Sequence, residues 1–213
     1  MVLLPWPLRR VLLQRIYGYQ LHPSSRIGLA WVFPRKLVME SGSTIGHLTV
    51  CKGLELLALG EYACIGRLNW ISAYPRDQAT HFGHIKGRQP QLVLQAHSAI
   101  TNRHIIDCNE KVSIGRFTTV AGYRSQILTH SIDLRECRQD AKPVTIGCYC
   151  FIGTACTILG GTVVPDYSVV GAHALLNKAF DEPYRLYAGV PATVVAELDP
   201  NMKYFTRNFW FVT

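Results

Sequence analysis

From Val144 to Leu176 the chain reads VTIGCYCFIGTACTILGGTVVPDYSVVGAHALL, and a step of six through it lands on Ile146, Ile152, Ile158, Val164, Val170 and Leu176, five of them β-branched. A helical face repeats near 3.6 residues and a strand face at two, so a sustained period of six requires a chain that turns a corner after every repeat. Small residues follow the aliphatic at Gly147, Gly153 and Gly171, and recur four residues after it at Cys150, Cys156, Thr162, Ser168 and Ala174. Hexapeptide repeats of this kind mark parallel β-helices. Each repeat forms one flat face of a prism, with its aliphatic pointing inward and stacked on the equivalent residue of the next coil.

Weaker copies of the repeat extend the prism towards the N-terminus. Ile27-Gly28 opens it, Ile45-Gly46, Leu59-Gly60 and Ile65-Gly66 continue it, and Leu94, Ile100 and Ile106 are again six apart. The phase then slips by two to Ile114 and Val120, which predicts a small extra turn between Cys108 and Lys111. Residues 72–91 and 123–143 break the pattern and are expected to leave the prism as loops. A loop as long as the first, inside a compact domain, signals binding or disorder. His81 and His84 lie on it, either as ligands and catalysts or as solvated loop residues.

The expected organisation is an N-terminal amphipathic or capping segment (1–21), a β-helix (22–178) and a C-terminal extension (179–213). Leu8, Val11, Leu12, Arg15 and Ile16 keep helical spacing, and Gly18 is a natural stop. Two compatible readings follow: a helix that caps the open end of the prism, or one lying on an anionic membrane surface with its arginines at the headgroups. In the extension, Phe180 to Tyr187 reads as a turn and 192 onward as a short strand. The aromatic tail after it suits a helix packed on a neighbouring chain.

Lysine and arginine outnumber aspartate and glutamate by 22 to 14, which suits anionic partners, but no nucleic-acid recognition motif is present. Several of the seven cysteines sit at repeat positions that want a small buried side chain, and Cys148-Tyr-Cys150 has the wrong spacing for a zinc knuckle. Neither a metal nor a disulfide is expected. The apolar start is interrupted by Pro5, Pro7, Arg9 and Arg10, and no run approaches the ~20 apolar residues of a membrane span. A cytoplasmic protein is expected, with peripheral contact to the inner face of the membrane through its first helix.

The repeats, followed by Tyr187-Ala-Gly-Val-Pro-Ala192, resemble the hexapeptide-repeat acyltransferases, among them galactoside and maltose acetyltransferase-like members and O-acetyltransferases of polysaccharide biosynthesis. The resemblance implies an all-β, left-handed parallel β-helix, a homotrimer, and acetyl-CoA laid along the coils between two subunits. In those relatives a histidine on the loop before the regular coils is the general base. His130 matches it by position, after Ile114-Gly115 and before Val144-Thr-Ile-Gly147, although Ser131-Ile132 stands where relatives often have proline. Asn102, five residues before Asp107, matches an acceptor contact, and His104 could reach the same cleft. Asp107 itself reads better as a carboxylate that caps a corner by bonding backbone amides than as a catalyst.

For the cofactor, the resemblance implies Thr154 and Ala172 as backbone contacts, a Thr154 amide as oxyanion donor, and Lys178 with Gly189, Pro191 and Ala192 near the nucleotide. Phe151 stands where relatives commonly have Trp, and Thr193 where they have Lys or Arg. The expected activity is acetyl transfer from acetyl-CoA to a saccharide hydroxyl, with an exopolysaccharide, capsule or O-antigen precursor as acceptor. The alternatives are an antibiotic or other small hydroxyl acceptor, a non-enzymatic scaffold, and a γ-type carbonic anhydrase using His97, His104 and His130.

Overall fold

Ile146, Ile152 and Ile158 lie on three different sheets, and Val164, Val170 and Leu176 repeat the same three faces one coil later, each paired in parallel with its predecessor. The computed structural model describes residues 2–77 and 79–209. Among these, three parallel sheets form the faces of a left-handed β-helix, with strand order advancing by one coil at each step. Face 1 ends its coils with Leu59, Leu94, Ile114 and Ile146, face 2 with Ile65, Ile100, Val120 and Ile152, and face 3 carries Ile71, Ile106, Ile127 and Ile158 at its centre. All of these are buried, so the core is three aliphatic ladders. Each such side chain contributes about 1.5–3 kcal/mol on burial.

Corners need small or unusual residues because successive coils touch there. A Cβ on Gly115 would come within 2.4 Å of the Gly147 carbonyl carbon. Cys150, Cys156, Thr162, Ser168 and Ala174 are all buried at corners, as their spacing predicts. The turn from Cys108 to Lys111 joins face 3 to face 1 and absorbs the two-residue slip.

The edge between faces 1 and 2 holds a feature that the six-residue reading did not anticipate. Tyr62, His97, Phe117, Tyr149, Tyr167 and Tyr184 occupy the same left-handed backbone position on consecutive coils, all with positive φ. Their rings therefore stack, with centroids 4.6 to 5.5 Å apart and planes within 19°. Left-handed backbone costs a non-glycine residue about 1–2 kcal/mol, and each ring pair returns about 0.5–1.5 kcal/mol. The stack largely offsets the strain of its own corners.

Helix α1 (Trp6–Tyr17) ends at Gly18, with φ 66°, and confirms the helical spacing. Its apolar positions do not form the buried face: Leu8, Val11 and Ile16 are exposed, while Arg9 and Leu13 are buried. The reason is hydrogen bonding at the end of the prism. The first coil presents a row of free carbonyls, and α1 supplies donors to them: Arg9 to Ile27 and Gly28 at 2.5 and 2.6 Å, Trp6 to Ser25 at 3.1 Å, and Arg10 to Pro23 at 2.6 Å. Burial lowers the Arg9 pKa, but the guanidinium stays charged and bonded.

Several boundaries differ from the sequence reading. Gln126–Leu128 is still a strand of face 3, so the second excursion is only the hairpin His130–Asp133 with Arg138–Ala141. The first excursion contains a short helix α2 (Ala79–Phe82). At the other end, the strand Arg185–Gly189 begins inside the expected turn, extends face 2 through Tyr187, and pairs antiparallel with Ala192–Glu197.

The tail packs on its own chain. Helix α3 (Lys203–Thr206) sets Phe205 edge-on to Tyr167 and Tyr184, and Arg207 lies 3.8 Å from the Tyr204 ring and against Phe117 and Tyr149. The aromatic stack is what attracts it. Met1 and residues 210–213, at the ends of the expected terminal segments, lie outside the described residues.

Replacing Arg9 by Met should remove two charged donors from buried carbonyls. At about 1–3 kcal/mol for groups left unsatisfied, and about 2–4 °C per kcal/mol for a chain of this size, the melting temperature should fall by several degrees. An unchanged thermal transition would show that α1 is not a cap.

Candidate active site

His130 stands where face 3 hands over to the hairpin, at the edge between faces 3 and 1, one coil beyond Asp107 on the same face. Its Nδ1 lies 2.5 Å from Asp107 Oδ2, and its backbone N–H donates to the same oxygen at 3.0 Å. Thr129 Oγ1 also donates towards Asp107, at 3.2 Å to Oδ2, and Asn109 donates to Oδ1 from both its backbone N–H (3.1 Å) and its Nδ2 (2.5 Å). A carboxylate so bound can receive the imidazole proton only along one line. Asn109 Nδ2 also lies 3.2 Å from His130 Nδ1, but the Asp107 carboxylate is nearer, at 2.5 Å, and can only accept. The network therefore assigns the ring proton to Nδ1 and leaves Nε2 with its lone pair. The hydrogen bond from Nδ1–H to Asp107 raises the His130 pKa, with partial burial opposing it.

Asp107 thus does what the sequence suggested, bonding backbone amides at a corner, and something more: it orients the histidine. Asn109 was not anticipated. Both roles depend on which residues the coil stacks 23 and 21 positions apart, and no local motif carries that.

The first excursion folds over the same edge. Arg88 is buried and donates to the carbonyls of Tyr74, Pro75 and Asn109 at 3.1, 2.7 and 2.9 Å, pinning the loop to the corner that holds Asp107. Its guanidinium lies 4.5 Å from the Phe82 ring centroid, and Phe82 meets His130 edge-on at 6.3 Å. Helix α2 also packs against the Arg138–Ala141 strand, so the two sequence breaks meet beside His130. Between them lies a cleft of about 370 Å³, lined by Lys52, Trp70, Ser72, Tyr74, Asp107, Asn109 and His130, among others. Trp70 is 46% exposed and carries Lys52 at 5.1 Å from its ring. His81 meets Tyr74 with ring centroids 4.9 Å apart and planes tilted by 48°, and it lines a crevice with the hairpin, away from the Asp107 pair.

The other expected site residues fall elsewhere. Asn102, Thr154 and Ala172 occupy one vertical line on the edge between faces 2 and 3, the corner residue just before each left-handed turn. Gly171 abuts Ala188, so Gly189 continues that line onto the terminal hairpin. Pro191 follows at the hairpin tip, exposed, and Ala192 is buried. Lys178 departs from the line: it follows face 3 and sits 5.4 Å from the Phe180 ring. Within one chain, then, the expected cofactor line and His130 lie on different edges.

His104 is corrected from acceptor contact to core residue. It is 1% exposed, accepts from Ser125 N at Nδ1 (3.1 Å) and reaches Thr101 Oγ1 with Nε2 (2.9 Å). Burial pushes its pKa down to about 4, so it is a neutral, fully used hydrogen-bonding group. The three histidines of the carbonic-anhydrase alternative, His97, His104 and His130, sit on three different edges of the prism. Among the described residues no group of three or more His, Cys, Asp or Glu is arranged to hold a metal ion.

No protein-family model matches the chain. Among curated proteins, "Probable acetyltransferase Rv3034c" of Mycobacterium tuberculosis is 24% identical over 160 residues, covering 71% of this chain and 50% of the relative. The chain thus spans about half the length of the curated relative it matches. Among solved structures, AntD, an N-acyltransferase from Bacillus cereus in complex with dTDP and coenzyme A, superposes with a TM-score of 0.58 at 12% identity, covering 90% of this chain and 89% of that one. The hexapeptide-repeat acetyltransferase VCA0836 of Vibrio cholerae, complexed with acetyl-CoA, gives 0.54 at 20% identity over 67% of this chain and 71% of that one. Sequence period, coil geometry and structural neighbours agree that this chain has the left-handed β-helix fold of the hexapeptide-repeat acyltransferases.

Proposed function

We propose that the chain is an acetyl-CoA-dependent O-acetyltransferase acting on a saccharide hydroxyl, with His130 as general base. The observation that carries this reading is the Asp107–His130 pair at the mouth of a cleft walled by Trp70 and Tyr74. Such aromatic faces suit the apolar sides of sugar rings. An open cleft with an exposed Trp also suits one residue of a longer glycan, which supports an exopolysaccharide, capsule or O-antigen precursor as acceptor. The exposed Leu3, Leu8, Val11 and Ile16 near α1 support peripheral contact with a membrane that carries such precursors. Among the described residues no helix is long and apolar enough to cross one.

In the proposed reaction the acceptor hydroxyl gives its proton to His130 Nε2 as its oxygen attacks the thioester carbonyl. The imidazolium is stabilised by Asp107 through Nδ1–H. Collapse of the tetrahedral oxyanion expels CoA thiolate, which takes the proton back from Nε2. The Thr154 backbone amide is the proposed oxyanion donor. Because Thr154 and His130 occupy different edges of one prism, we infer that each site forms between copies in a homotrimer, one copy supplying His130 and the next its Asn102–Thr154–Ala172 line.

Three outcomes test this. His130→Ala should lower kcat for acceptor-dependent CoA release by about 10²–10⁴, and a wild-type rate in that variant would remove His130 from the role. The base acts when neutral, and Asp107 raises its pKa. The rate should therefore climb with pH through an inflection above the ordinary 6.5, and Asp107→Asn should move that inflection down. Trimers assembled from mixed His130→Ala and Ala172→Trp subunits should recover activity that neither homomer has; a mixture as inactive as its parents would place the whole site in one chain.

A further inference from the structure

The edge between faces 2 and 3 changes chemistry along its length. From Thr154 through Ala155 and Ala172 it is small and uncharged apart from His173, whereas nearer the N-terminus it carries His47, Arg67, Arg103 and Arg124. Arg103 and Arg124 hold the same left-handed position on consecutive coils, with φ 58° and 62°. Arg124 N donates to Arg103 O, and Arg103 N to Arg67 O, each at 3.0 Å. The backbones of Arg103 and Arg124 are therefore stacked at the strand spacing of about 4.8 Å, and Arg67 stands on the preceding coil level with Asn102, next to the left-handed Leu68.

Nothing acidic answers them. Corner residues 46–49, 66–69, 101–104, 121–125, 153–156 and 171–174 include no Asp or Glu. Among the described residues none of the three guanidiniums is in a salt bridge. The other two edges are mixed, with Glu40, Glu61 and Asp166 near one and Glu55 and Glu110 near the other.

Arg67 and Arg103 border a cleft of about 490 Å³ together with His47, Asn102 and Tyr123. Its other polar side chains also present donors. Asn102 uses its Oδ1 to accept from Arg67 N at 2.7 Å, which leaves its NH₂ group free, and His47 accepts from Leu29 N at Nδ1 (3.0 Å), which leaves Nε2–H. A cleft edged by two arginines on neighbouring coils and offering side-chain donors without carboxylates calls for a ligand rich in anionic oxygen, and arginine forks bind carboxylate and phosphate best. Tyr123, 53% exposed, adds a flat ring beside them.

We propose that this cleft is a subsite for an anionic glycan, in which carboxylate or phosphate groups bind Arg67 and Arg103 while a sugar ring covers Tyr123. Its assignment to the acceptor rather than the cofactor rests on the transferase reading: the expected cofactor line starts at Thr154, one coil beyond Tyr123, and runs on to Gly189, whereas Arg67 and Arg103 lie on the coils before it. The binding itself does not depend on that reading.

The test is calorimetric binding of a panel of uronate-containing, sialylated and phosphorylated oligosaccharides, each beside its neutral counterpart, to wild type and to an Arg67→Gln/Arg103→Gln double variant. Both side chains are exposed and make no hydrogen bond among the described residues, and a matching thermal transition checks that the variant is folded. Wild type should bind at least one anionic member tenfold or more tightly than its neutral counterpart, with a preference that falls with salt and is lost in the variant. The proposal is overturned if no member shows an anionic preference, if the preference survives in the variant, or if the variant loses affinity for CoA instead. Since binding is read without turnover, a protein that binds anionic glycans but transfers no acetyl group would refute the transferase and leave the subsite standing.

Discussion

Parallel pairing of each strand with the one a full coil away is the constraint on which everything else in this molecule rests. It advances the chain by about 4.8 Å per coil and forces equivalent residues into vertical lines. Inward lines become the aliphatic ladders of the core. Corner lines become edges, and each edge of this prism has acquired its own chemistry.

The edge between faces 1 and 2 is a structural spine. Its six stacked rings sit where the backbone is strained, and stacking offsets that strain, so aromatic residues serve there better than their propensities suggest. The C-terminal segment closes over the same spine through Phe205 and Arg207. The edge between faces 2 and 3 is open and divides into an uncharged stretch and a basic one. The edge between faces 3 and 1 is where the regular prism is interrupted twice.

Those interruptions are held by very few groups. One buried guanidinium, Arg88, bonds three carbonyls and ties the first loop to the corner of Asn109, and Asp107 gathers donors from Asn109, Thr129 and His130. A buried charge is tolerated only when its hydrogen-bonding capacity is used, and both are nearly saturated. That saturation makes the site rigid and fixes the orientation of His130. The rigid prism below and the pinned loop above then define a cleft that neither could form alone.

How much of this was legible in the residues follows from the range of the interactions involved. The period of six, the aliphatic phase from Ile146 to Leu176, the small corner residues and the two excursions are local patterns, and local patterns survive in one dimension; His130 was singled out only by its matching position in a resembling family. Arg9 as a buried cap, His104 as a core residue, the ring stack, the Asp107–Asn109–His130 network and the gathering of Arg67, Arg103 and Arg124 could not be read that way. Their coil-to-coil contacts join residues 17 to 36 apart, and loops of variable length separate the coils that bring them together. The sequence by itself determined that the chain must coil and where its aliphatics point, because turning a corner every six residues leaves one packing solution. Only the tertiary structure decided which polar side chains share an edge, because that depends on coil register, which is the sum of every insertion before it.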